Sequence, residues 1–68
     1  MEKMFKKWLA DNGAEIEAMI FRSPQPWCPD QYIFRFRFGE GDWSGASMVP
    51  WGMDSFSRAT EIIGDAKS

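Results

Sequence analysis

Tyr32-Ile33-Phe34-Arg35-Phe36-Arg37-Phe38 is the stretch that decides the fold. In an extended chain successive side chains point to opposite sides. Tyr32, Phe34, Phe36 and Phe38 therefore share one face, and Ile33, Arg35 and Arg37 share the other. A period of two with this many rings has one good solution: a β-strand whose aromatic face is sealed in a core. The rest of the chain must supply neighbours for this strand and a cover for its rings.

Four breaks separate the candidate neighbours. Asp11-Asn12-Gly13 contains an Asn-Gly pair suited to a type I′ hairpin turn. Residues 23–30 hold Pro24, Pro26 and Pro29 and read as an irregular loop. Gly39-Glu40-Gly41-Asp42 is a second tight turn, and Pro50-Trp51-Gly52 is the last break. Residues 15–22 alternate Ile16, Ala18 and Ile20 with Glu15, Glu17 and Met19, the pattern of another strand. Residues 43–49 follow the aromatic strand across the Gly-rich turn as its hairpin partner. Their small side chains, Ser44, Gly45, Ala46 and Ser47, point to a bulged or edge strand.

Residues 4–10 fit two structures. Met4, Phe5, Trp8 and Leu9 have helical spacing, with Asn12-Gly13 as a stop. The same residues fit a strand entering an Asn-Gly hairpin, with Leu9 opposite Ile16, Phe5 opposite Ile20 and Lys7 beside Ala18. The two-residue turn is the sharper signal, so the strand is preferred and the helix is the alternative. At the other end Asp54 or Ser55 is placed to cap a helix. Phe56, Ala59, Ile62, Ile63 and Ala66 form its apolar stripe, Arg58, Glu61 and Asp65 its wet side, and Gly64 weakens its last turn. The expected fold is α+β: one domain over residues 1–68, with a four-stranded antiparallel sheet and one C-terminal helix packed on one face.

Composition narrows the function. A chain of 68 residues buries only about 60% of the surface its unfolded form exposes. Its expected stability is about 3–10 kcal/mol. Four Trp, six Phe and one Tyr compensate with large apolar groups, so no metal or disulfide is needed. With no His, the usual proton shuttles and most zinc sites are excluded. One Cys precludes an internal disulfide, and no apolar run is long enough for a signal peptide or a membrane span. A cytoplasmic protein is expected. The net charge of −2 argues against general binding to nucleic acid.

Few residues invite chemistry. Trp27-Cys28-Pro29 suggests a thiol redox site, but the position of a second cysteine holds Gln31. A small apolar role for Cys28 is the simpler reading. Arg35 and Arg37, with Arg22, make a basic stripe that an RNA or an acidic protein could use. The strand's own rings lie on the opposite face, however, so the stripe lacks stacking partners. Pairing of these arginines with Glu15, Glu17 or Asp42 across strands is expected instead. Nothing brings the carboxylates Glu40, Asp42 and Asp54 together as a catalytic pair, and no metal-loop spacing occurs. No enzyme activity, cofactor or metal is expected.

The tryptophans remain. Trp27 and Trp51 fall in Pro-containing loops and Trp43 beside a turn, where large rings serve either as lids on a small core or as anchors for a partner. The layout of Asn12-Gly13, the Trp27-Cys28-Pro29 loop, the following hairpin and Gly52-Met53-Asp54-Ser55-Phe56 resembles small bacterial and phage proteins of unassigned function. As a type, a small, acidic, histidine-free domain is also similar to phage inhibitors of host defence, anti-CRISPR proteins among them. The expectation is a non-enzymatic inhibitor that occludes a partner protein. Trp27, Trp43 and Trp51 would supply contact, and Glu40 and Asp42 would steer it toward a basic surface. The arginine stripe is the alternative face. A monomer is expected, or a homodimer formed by pairing of edge residues 43–49.

Overall fold

The computed structural model describes residues 2–68. Helix α1 (Glu2–Asp11) is followed by strands β1 (Ala14–Phe21), β2 (Gln31–Phe38) and β3 (Ser47–Pro50), then helix α2 (Ser55–Lys67). The three strands form one antiparallel sheet in the order β1-β2-β3. The α+β class is as expected, but the sheet has three strands rather than four, because residues 4–10 are helical.

The reason is which side chains each conformation buries. A strand would have turned Phe5 and Leu9 inward and Trp8 outward. The helix brings all three to one side, with Phe5 and Leu9 buried and Trp8 packed partly against the core. The Asn-Gly pair works as a helix stop. Gly13 adopts φ +67°, while no non-glycine residue among those described has positive φ, which a type I′ turn would require of Asn12. The last carbonyls of α1 are satisfied locally. Asn12 N–H reaches the Trp8 and Leu9 oxygens, Gly13 N–H reaches Ala10, and the Asn12 side-chain amide donates to Trp8 at 2.8 Å.

β1 pairs with β2 along its whole length, with Ile16 opposite Phe36, Ala18 opposite Phe34 and Ile20 opposite Tyr32. β3 is shorter than the expected 43–49 strand. Regular pairing covers Ser47 opposite Phe34 through Pro50 opposite Gln31. Beyond Ser47 the chain carries an extra residue. Ser44, not Gly45, meets Phe36, donating its N–H to the Phe36 oxygen (2.7 Å) and accepting the Phe36 N–H on its hydroxyl (3.0 Å). Gly45 and Ala46 thus lie together opposite one residue of β2, the irregularity their small side chains suggest. Trp43 is released from the ladder.

Both helices lie on the aromatic face. Tyr32, Phe34, Phe36 and Val49 from the sheet meet Phe5 and Leu9 of α1 and Ala59 and Ile63 of α2 in one core. Phe34 (1% exposed) and Ile63 (0%) are at its centre, while Phe38 is only half-buried at its edge. The start of α2 departs from expectation, since Asp54 makes no side-chain cap and Ser55 does not bond the free amides of the first turn. The fully buried Ser55 hydroxyl accepts the Gly52 N–H at 2.7 Å and faces the Pro50 and Gly52 oxygens at 2.9 Å. It fastens the end of β3 to the first turn of α2.

Candidate interaction surface

With both helices on one side, the other face of the sheet has no cover. The register puts Glu15, Glu17, Met19 and Phe21 of β1 on that face. It puts Arg37, Arg35, Ile33 and Gln31 of β2 beside them, with Met48 of β3 opposite Ile33. The face has two halves.

Toward the Gly-rich turn the half is ionic. Arg35 pairs with Glu17 at 2.6 Å and Arg37 with Glu15 at 2.9 Å, each directly across the strands. The expected cross-strand pairing holds for these two glutamates. Asp42 makes no ion pair among the described residues. The expectation of arginines without stacking partners fails, because the irregular third strand releases Trp43 over both guanidinium groups. Its ring centroid lies 4.8 Å from Arg35 and 4.9 Å from Arg37. Each arginine is therefore held by a carboxylate on one side and an indole on another. Arg22 pairs with Asp30 at 3.5 Å in the Pro-rich loop. All three members of the basic stripe have a carboxylate partner.

Toward the other end the half is apolar. Met19 is 57% exposed, Phe21 50% and Met48 63%, with Ile33 half-buried between them. A shallow open depression of about 280 Å3 joins the halves, lined by Met19, Ile33, Glu17, Arg35 and Ala46. Four large apolar side chains on one uncovered face are more than scattered exposure. Two of them, Met19 and Met48, are thioethers that adapt to partners of different shape.

The residues expected to form one contact surface do not lie together. Trp43 belongs to the ionic half, next to the turn that carries the exposed Glu40 and Asp42. Trp51 is at the far end of β2 and on the helix side, its ring packed 5.5 Å from Tyr32 and 5.8 Å from Phe56. It is 37% exposed, partly a lid on the core. Trp27 projects from the Pro-rich loop and is 76% exposed. Cys28 is exposed in the same loop, its thiol 3.6 Å from the Gln25 side-chain oxygen. No cluster of three or more Cys, Asp or Glu suited to a metal ion occurs among the described residues. No helix is long and apolar enough to cross a membrane.

Met19, Phe21, Ile33 and Met48 were not singled out from the sequence as contact residues. Their signal was nonetheless present. The alternation that turns Tyr32 and Phe34 inward turns Ile33 outward, and an antiparallel neighbour then adds Met19. Phe21 and Met48 required the register. Searches against protein families, curated proteins and solved structures found no match to this chain.

Proposed function

We propose that the protein is a non-enzymatic protein-binding module whose contact surface is the uncovered sheet face. The observation that carries this reading is the apolar half of that face, with Met19, Phe21 and Met48 each at least half exposed around Ile33. The bound partner presents an apolar patch to these four side chains. Its rim is basic, because Glu40 and Asp42 beside Trp43 are exposed and make no ion pair among the described residues, whereas Arg35 and Arg37 are already paired. Rings and thioethers supply affinity, and the acids at the turn steer the encounter. A small acidic domain of this kind suits occlusion of a nucleic-acid-binding surface on a host defence complex, as anti-CRISPR proteins do.

The test is inhibition of target cleavage by a panel of purified CRISPR effector complexes, with the wild-type chain and the triple variant Met19→Ser, Phe21→Ser, Met48→Ser. All three positions are exposed, so the variant keeps its core. Inhibition by the wild type and its loss in the variant support the reading. Equal inhibition by both places the contact elsewhere, and direct retention of the wild type on RNA at moderate salt favours the arginine stripe instead.

A further inference from the structure

The sheet has two free edges, and they are not alike. In an antiparallel ladder alternate residues direct both backbone groups to one neighbour. Gly39 donates its N–H to the Gly13 oxygen, and β2 meets the other side of the sheet through Phe36 with Ser44 and through Asp30 with Trp51. Odd-numbered residues of β2 therefore serve β1, and even-numbered residues serve β3. On β3 the outward groups belong to Met48 and Pro50, and proline has no N–H to give. This edge is four residues long and nearly without donors. The expected pairing of residues 43–49 with a second copy has little to build on.

The β1 edge is the opposite case. It runs for eight residues with regular pairing to β2, and contains no proline and no lysine. Its outward N–H and C=O groups belong to Ala14, Ile16, Ala18 and Ile20. Ala18 points to the helix side, yet it is exposed, so α1 leaves the edge open at this point. Of the devices that usually blunt a long edge, proline, lysine and a bulge are missing here, and the charges it does carry, Glu15 and Glu17, are paired with arginines of β2.

We propose that two copies of this chain pair antiparallel through β1 to form a continuous six-stranded sheet. Backbone bonding requires even-numbered residues to oppose even-numbered residues, which leaves two registers that overlap seven of the eight residues of β1. One sets Glu17 against Glu17 of the second copy, a like-charge pair at close approach. The other centres the two-fold axis on Ala18. It sets Ile16 against Ile20 of the second copy, Glu17 against Met19 and Glu15 against Phe21. The second register sets no like charges directly opposite, since Glu17 of each copy is only diagonal to its counterpart and is already paired with Arg35, and the small Ala18 side chains face each other at the axis. The helices of both copies then lie on one side. On the other side each apolar half lies beside the ionic half of the second copy, and the two apolar halves meet at Met19, which is diagonal to its counterpart within about 7–8 Å.

Sedimentation equilibrium across a concentration series tests the assembly. The expected result is a shift from 7.9 kDa toward twice that mass. Ala18→Lys, a change at an exposed position, should hold the protein at the monomer mass with an unchanged circular-dichroism spectrum. The register is read by oxidation of cysteine variants in a Cys28→Ser background. Ala18→Cys crosslinks because the paired Cα atoms are about 5.5 Å apart, within disulfide reach. Glu17→Cys crosslinks at least tenfold more slowly. A single monomer mass up to about 1 mM, near the weakest affinity of interest, overturns the proposal. So does a dimer that survives Ala18→Lys, or faster crosslinking at position 17. None of these outcomes depends on whether the chain inhibits a partner.

Discussion

The indole of Trp43 lies 4.8 Å over the guanidinium of Arg35, while Glu17 holds the same guanidinium from the neighbouring strand. Trp43 reaches this place only because the chain before Ser47 carries one residue more than the ladder needs. A local defect in strand pairing thus builds the ionic half of the uncovered face. The carboxylate and arginine side chains are about half exposed, so water screens each ion pair, and such pairs contribute about 0.2–1 kcal/mol. The ring contact is of similar size, about 0.5–1 kcal/mol. A double-mutant cycle between Trp43→Ala and Arg35→Ala is expected to give a coupling of about 0.5–1 kcal/mol by urea denaturation. Additive effects of the two changes would remove the contact from the account.

Ser55 is a fully buried polar side chain beside the core. Its hydroxyl satisfies the Gly52 N–H and the Pro50 oxygen together. Ser55→Ala leaves both without that partner in a closed space, and an expected loss of about 1–3 kcal/mol follows. A loss below about 0.5 kcal/mol would mean that water reaches the turn and that Ser55 is not its fastener.

Gly64 faces α1, and a Cβ there would stand 3.9 Å from the Trp8 ring, an ordinary contact. The space is free and the backbone helical, so Gly64→Ala is expected to stabilise by about 0.5–1 kcal/mol through helix propensity. A lower thermal midpoint for this variant would show that α1 and α2 lie closer than described.

Tyr32 is the single tyrosine, which makes its titration easy to follow. Burial, and after it the negative charge of Glu2, raise its phenol above the ordinary 10.0. The native state therefore keeps this proton longer than the unfolded chain does. The resulting stability is fully present below about pH 10 and declines as pH rises through the folded value. Between about pH 9 and pH 11 the wild type should lose more stability than Tyr32→Phe. Equal losses would show that the ring is open to water.

Much of this fold could be read from residues 32–38, and its inward face, outward arginines and neighbouring strand follow from alternation alone. The glutamates opposite Arg35 and Arg37 followed too, because cross-strand pairing needs only the register. Residues 4–10 were misread because Asn-Gly serves equally as hairpin turn and helix stop. Only the burial of Trp8 together with Phe5 and Leu9 separates the two, and that requires knowing where the sheet lies. The contact surface was harder to see. Tryptophan in a loop is conspicuous, whereas Met19, Phe21 and Met48 look like ordinary strand residues until both helices are found on the other side.

Methionine methyl resonances read this surface directly. Met19 and Met48 lie on the uncovered face, while Met4 in α1 and Met53 before α2 are exposed elsewhere. Titration of methyl-labelled protein with an effector complex that it inhibits should shift or broaden Met19 and Met48 and leave Met4 and Met53 in place. Perturbation of Met4 and Met53 with Met19 and Met48 unmoved would contradict the account, because the partner would then be engaging the helical side.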